Sequence, residues 1–276
     1  MTRLPTLFVS HGSPMLAVEP GQTGPVLANF AHHLPPLRAI LVVSPHWSTR
    51  GARVTTREQQ EAWHDFGGFP AELYALRYGP VGAPWLAERV IDLLGQAGLP
   101  VEGDARRPLD HGAWVPLLHM YPGAQVPVVQ LSLLPHLSPQ KQWAIGRALA
   151  PLRDEGVLVI GSGSITHNLV ELDWAHAGAP VTGWADAFRH WIGERLAEHD
   201  LPALFDYRAR APHAVRAHPT DEHLLPLFVA LGAAGDDAAV TRLGDEVTHA
   251  SLAMDAYAFG MPAMAERQAA QQTENA

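Results

Sequence analysis

The sequence predicts an α/β protein: a single domain with a central, mostly parallel or mixed sheet covered by helices. Short β-rich runs alternate along the whole length with segments of helical period. Several runs are apolar throughout, as strands buried on both faces require. The chain has 276 residues, of which 47% are hydrophobic, enough for one large core.

In chain order, the first strand is read at 6–10, closed by the turn His11-Gly12-Ser13-Pro14. Two more lie at 39–44, ended by Pro45, and at 52–56. The segment 64–70 is a loop hinged on Gly67 and Gly68, with two aromatics suited to covering a flat apolar ligand. A helix over 84–96 places Leu86, Val90, Leu93 and Leu94 on one side. A helix-like segment carrying Trp114, Leu117 and Leu118 follows Asp110-His111-Gly112. A strand at 126–131 precedes a helix over 138–153, where Ser138 is the N-cap and Pro139 takes the first helical position. The strand at 157–161 runs into Gly161-Ser162-Gly163-Ser164, a loop that lets backbone approach a ligand. A helix over 182–199 buries Trp184, Phe188, Trp191 and Leu196, and another over 220–231 is stopped by Gly232. A last strand is read at 251–257. Residues 1–264 form the domain, and 265–276 a Gln-, Ala- and Glu-rich tail.

Composition narrows the function. A net charge of -9, with the Arg106-Arg107 pair standing alone, excludes a basic nucleic-acid surface. No apolar stretch approaches the ~18–20 residues of a membrane span, and the run 4–9 is too short for a signal-peptide core. The absence of cysteine removes disulfides, thiolate nucleophiles and thiolate-bound metal. The expectation is a cytoplasmic protein, a monomer or small homo-oligomer.

The chemistry is in the histidines, of which there are 16. His11 and His46 each end a β-rich run, and His167 follows a third after a short loop. If those strands are parallel neighbours, the three imidazoles gather at the carboxyl edge of one sheet, where open α/β sheets bind ligands. Imidazole is the commonest metal-binding side chain, so a metal site is indicated. In Gly161-Ser162-Gly163 the dinucleotide pattern fails, because Thr166 stands where the last glycine belongs. In His218-Pro219-Thr220-Asp221-Glu222-His223, Thr220 reads as an N-cap with Asp221 and Glu222 in the first turn. His223 then projects from the helix start, while His218, five residues earlier, diverges from it. His136 is set apart from its strand by a Leu-Leu-Pro connector. His32, His33, His119, His176, His190, His199, His213 and His249 read as structural or solvent-facing.

Taken in order, Ser10-His11-Gly12-Ser13-Pro14, Val43-Ser44-Pro45-His46-Trp47, His64-Asp65-Phe66-Gly67-Gly68-Phe69-Pro70, Leu109-Asp110-His111-Gly112-Ala113-Trp114, Gly163-Ser164-Ile165-Thr166-His167-Asn168-Leu169 and Pro219-Thr220-Asp221-Glu222-His223 resemble the class III extradiol ring-opening dioxygenases, in the branch that includes DOPA dioxygenases. The resemblance implies a LigB-like α/β sandwich and one mononuclear divalent metal on His11, His46 and His223, with Glu222 the competing third ligand. It implies His167 as the acid/base close to the metal, itself a possible ligand, and His111 beside substrate and dioxygen. His64, Phe66 and Phe69 are the candidate substrate contacts. Fe(II) is expected for ring cleavage, with Zn(II) the ion most readily found in purified protein. A small-molecule catechol and O2 are the implied partners. Two alternatives stand beside this: a zinc-dependent hydrolase using the same ligands, and a non-catalytic binding protein.

Overall fold

The computed structural model describes residues 3–236 and 238–261. Strands lie at β1 (Thr6–Ser10), β2 (Ala39–Ser48), β3 (Ala52–Thr55), β4 (Val101–Asp104), β5 (Val128–Leu133), β6 (Val157–Gly163), β7 (Val240–Gly244), β8 (Val247–Thr248), β9 (Leu252–Ala253) and β10 (Ala256–Phe259). All but β8 and β9, which pair with each other, join one sheet in the order β4-β3-β5-β2-β6-β1-β10-β7. The centre, β5-β2-β6-β1, is parallel, whereas β3 runs antiparallel to β5, and β10 runs antiparallel to both β1 and β7. The sheet is therefore mixed with a parallel core.

The helices are α1 (Thr23–His32), α2 (Ala71–Ala75), α3 (Pro84–Gln96), α4 (His111–Met120), α5 (Pro139–Leu149), α6 (Gly183–Ala197), α7 (Leu201–Phe205), α8 (Tyr207–Arg210), α9 (Ala214–Ala217) and α10 (Leu225–Ala234). Alternate residues of the apolar strands feed two separate cores. Leu41, Val43, Val157 and Val159 pack under α3, α5, α6 and α10, while Ile40, Val42, Leu158 and Ile160 pack under α1 and α4. A central strand covered on both faces must be apolar at every position, which is why these runs lack alternation.

Three of the expected elements are corrected. The strand read at 39–44 continues to Ser48. Pro45 cannot donate to the ladder, so pairing with β5 jumps from Ser44↔Ser132 to Ser48↔Leu133, and His46 lies in this irregular end. The strand read at 251–257 splits at Met254-Asp255, where the Asp255 carboxylate turns inward to Arg242 and Arg189. The helix read at 220–231 starts later, at Leu225, with Pro226 in its first turn. It also runs through Gly232, which is a packing residue and not a stop. A Cβ there would fall 2.0 Å from the Trp143 carbonyl oxygen of α5, and one on Gly146 would fall 2.1 Å from that of Val229. Strands β4, β7 and β8 and helices α1, α2, α7, α8 and α9 have no counterpart among the elements expected from sequence. The domain boundary at 264 and the tail 265–276 lie outside the described residues. No helix of the described residues is long and apolar enough to cross a membrane.

Candidate metal centre

Because β2, β6 and β1 are adjacent and parallel, their carboxyl ends share one edge of the sheet. His11 follows β1 directly, and its backbone N–H donates to the Gly163 carbonyl at 2.9 Å. His167 stands four residues past β6, its N–H bonded to the Ala217 carbonyl at 2.8 Å. His223 occupies the turn before α10, where its carbonyl accepts from the Ser164 N–H at 2.8 Å. Gly161 and Gly163, expected in a loop that lets backbone approach a ligand, instead lie within β6 and admit the backbone of the α10 region. A Cβ on Gly163 would fall 2.1 Å from the His223 carbonyl oxygen, so only glycine lets α10 start here. His111 opens α4 behind its N-cap Asp110, whose carboxylate accepts from the Ala113 N–H.

Hydrogen bonds fix which imidazole nitrogens face inward. Ser162 Oγ donates its one hydrogen to the Gly112 carbonyl, so it must accept from His11 Nδ1–H at 3.0 Å. His11 Nε2 is thereby bare, 3.1 Å from His46 Nε2. Glu222 Oε1 accepts from His223 Nδ1–H at 3.1 Å, which leaves His223 Nε2 buried with no hydrogen-bond partner among the described residues. The ligand atoms of His11, His46 and His223 lie within 4.8 Å of one another. Imidazole nitrogens bind first-row divalent ions at about 2.0–2.1 Å, which sets ligand atoms about 3 Å apart. Two bare Nε2 atoms, that of His223 buried without a partner among the described residues, and this spacing fit one divalent ion.

Two further triads share the cluster: His46, Asp65 and His111, and His167, Glu222 and His223. The His167 ring stacks on that of His223 at 3.3 Å between centroids and 8° between planes. Imidazole lone pairs lie in the ring plane, so two parallel rings do not aim at one point. By distance the His167 ligand atom groups with those of Glu222 and His223, but its stacked ring is not aimed with that of His223 at a common ion.

Burial controls the protonation of the cluster. It drives the His11 and His223 imidazoles well below their ordinary value, and the surrounding histidines add to the effect. Burial, helped by the neighbouring His111 imidazole, lowers His46 to about 3. Burial lowers His167 to about 4, with Glu222 pulling the other way. All four are neutral near pH 7, the form in which imidazole binds a metal. Burial also opposes ionisation of Asp65, but hydrogen bonds from His111 outweigh it and hold that carboxyl below its usual range. Asp110, fully buried, is pushed up by desolvation against hydrogen bonds from Gln130 and Ser44.

The structure brings His11, His46, His111, His167, Glu222 and His223 into one cluster. Phe66 meets the His111 ring at 5.7 Å, and Phe69 packs on Phe66 at 5.3 Å. His64 lies one layer out, between Phe66, Tyr74 and Trp114, with its Nε2 buried and unpartnered among the described residues. His218 is buried away from the ligands with Nε2 on the Ile165 carbonyl at 2.8 Å. It precedes α10, as do Asp221 and Glu222, so the expected Thr220 helix cap is replaced by a bond from Thr220 Oγ1 to Glu222. His136 is exposed, and His119 and His249 bond the Leu16 and Asp173 carbonyls. Sequence reasoning missed Ser162 and Asp65 as partners of the histidines. They stood beside singled-out residues, but their partners are 151 and 46 positions away.

This fold and site define a class, an α/β protein with a histidine-lined metal centre at the carboxyl edge of its sheet, and the comparisons specify it. The family described as the catalytic LigB subunit of aromatic ring-opening dioxygenase matches residues 5–260. The 4,5-DOPA dioxygenase extradiol of Beta vulgaris is 40% identical over 258 residues, covering 92% of this chain and 96% of that protein. The protein of that name from Escherichia coli K12 is 37% identical, covering 92% and 93%. A crystal structure of an uncharacterized Escherichia coli K12 protein is similar at a TM-score of 0.79 and 33% identity, covering 94% of this chain and all of that one (100%). The chain belongs to the LigB family, as a class III extradiol aromatic ring-opening dioxygenase of the DOPA-dioxygenase type. Enzymes of this family use a single metal, for which the histidine cluster is suited.

Proposed function

We propose that the protein opens the ring of a DOPA-like catechol on one Fe(II) ion held by His11, His46 and His223. The observation that carries this reading is the convergence of three neutral imidazoles, two with Nε2 bared by Ser162 and Glu222. The relatives named for 4,5-DOPA support the substrate class. When bound, the ion would supply Lewis acidity that lowers the pKa of the catechol hydroxyls and, as Fe(II), the one-electron chemistry that O2 requires. His223 is preferred to Glu222 as third ligand because the Glu222 carboxylate is engaged in orienting it.

His167 accepts a catechol proton and returns it to the opened product. Burial keeps the ring neutral and ready, and the nearby Glu222 carboxylate favours the imidazolium that results. His111, ring to ring with His46 at 4.0 Å, would stand beside dioxygen and steady it. Phe66 and Phe69 form an apolar wall for the catechol ring, with His64 behind them. Both atoms of O2 enter the product, one in a carboxylate and one in an aldehyde, so no external reductant is consumed. We read the enzyme as cytoplasmic, acting on small molecules without nucleic acid or membrane partners, as a monomer or small homo-oligomer.

The test uses protein reconstituted anaerobically with Fe(II) and supplied with L-DOPA and a catechol panel. O2 uptake and a yellow semialdehyde are expected. His11→Ala and His46→Ala should lose metal, whereas His167→Ala should keep it and lose turnover. No uptake with any catechol, together with ester hydrolysis by the Zn(II) form, would transfer the site to the hydrolase reading.

A further inference from the structure

The backbone of the substrate loop is fastened up to residue 63. The Trp63 N–H donates to the Leu109 carbonyl at 2.8 Å, and Trp114 Nε1 donates to the Trp63 carbonyl at 3.0 Å. Beyond Asp65 come Phe66 and the Gly67-Gly68 pair, around which a Cβ would meet nothing within 4 Å. Asp65 is the last strong tie before that open stretch. One of its oxygens, Oδ1, accepts two hydrogen bonds from the same residue: the His111 backbone N–H at 2.9 Å and His111 Nδ1–H at 3.0 Å. Both side chains are only 9% exposed, so water does not compete freely for either bond.

An ionised carboxylate can only accept. Its bond to His111 Nδ1 therefore demands a hydrogen there, so that in the neutral ring Nε2 is the bare nitrogen. The second bond anchors the carboxylate to the first residue of α4, so it fixes the ring's direction as well as its tautomer. Phe66, the next residue along, closes on the His111 ring edge-on at 5.7 Å and 85°.

We propose that Asp65 is a positioning residue for the ring-opening reaction: it locks His111 in the Nδ1–H tautomer and ties the substrate loop to it. This rests on the role read above for His111. Loop and histidine are then set together, so a loop lifted from α4 releases the tautomer as well as the aromatic wall.

The experiment compares wild type, Asp65→Asn and Asp65→Ala. Asparagine keeps an oxygen that can accept the Nδ1 hydrogen, while alanine keeps none, so the Asn variant is the partial rescue. Imidazole 15N–1H correlation spectra of the Zn(II)-loaded protein report the His111 tautomer without turnover. The expected result is Nδ1–H in wild type and Asp65→Asn, a tautomer mixture in Asp65→Ala, and unchanged metal content in all three. On Fe(II), kcat should fall about 10–100-fold in Asp65→Ala with little change in KM, and recover in part in Asp65→Asn. Wild-type tautomer and kcat in Asp65→Ala would overturn the proposal. So would loss of metal in both variants, which would make Asp65 a ligand. If wild type opens no catechol but the tautomer still depends on Asp65, the positioning stands and the ring-opening reading falls.

Discussion

Ser162 Oγ sits between the Gly112 carbonyl and His11 Nδ1, and by donating to the first it must accept from the second. Ser162→Ala removes that acceptor while changing little volume. The His11 ring can then flip or tautomerise, and the Gly112 carbonyl loses a donor in a buried setting. Partners of this kind are worth about 10–100-fold in metal affinity, so Ser162→Ala should bind Zn(II) that much more weakly in chelator competition. The lost buried hydrogen bonds should also cost about 1–3 kcal/mol of stability. Unchanged affinity would show that His11 is oriented by its packing alone. At this scale the histidines themselves were legible, because a strand-ending His is a local pattern. Their orienting partners were not, because a serine 151 residues away in the chain leaves no local trace.

Among elements, the crossing of α5 and α10 is the closest helix contact the glycines permit, and it seats α10 so that His223 meets the sheet edge. Gly146→Ala sets two effects against each other. Alanine favours an exposed helix interior by about 1 kcal/mol over glycine. Here, however, the new Cβ would lie 2.1 Å from the Val229 carbonyl oxygen and 2.8 Å from the Ala233 nitrogen. Both are backbone atoms that cannot swing aside, and overpacking of this kind costs about 1–3 kcal/mol. The clash should win, lowering Tm by several degrees; a raised Tm would mean that the two helices part freely. The same geometry explains why Gly232 misled the sequence reading: a glycine that stops a helix and one that admits a neighbouring backbone look alike in one dimension. Helix α3 was legible to the residue because Pro84 marks its start and Leu86, Val90, Leu93 and Leu94 all point to the core. Strands β4 and β7 were not, since both lie at sheet edges, half-exposed, and lack an apolar run.

Over the whole molecule, the parallel centre of the sheet concentrates neutral histidine inside the protein, and acid should therefore unfold the metal-free form. His11, His46, His167, His218 and His223 are each buried, with imidazoles lowered from the ordinary 6.5. A group whose folded value is depressed stabilises the fold fully above its unfolded value, and that stability is lost as pH falls toward the folded one. His218 isolates the effect, because it lies off the metal-binding triad and bonds only the Ile165 carbonyl. Burial, partly offset by that hydrogen bond, lowers it to about 4. The 6.5-to-4 window amounts to about 3 kcal/mol at one residue, against a typical total of about 5–15 kcal/mol. Urea unfolding of the metal-free protein should give a flat stability above about pH 7 and a steep loss from pH 6.5 downward. In His218→Gln the amide can still donate to Ile165 but cannot ionise, so its curve should begin lower at neutral pH and fall about 3 kcal/mol less by pH 4. Zn(II), which binds the folded state, should raise stability at neutral pH in both proteins and lose its effect in acid as protons displace it. Parallel curves for wild type and His218→Gln would mean that His218 is protonated in the folded protein, with its Nδ1 satisfied from solvent.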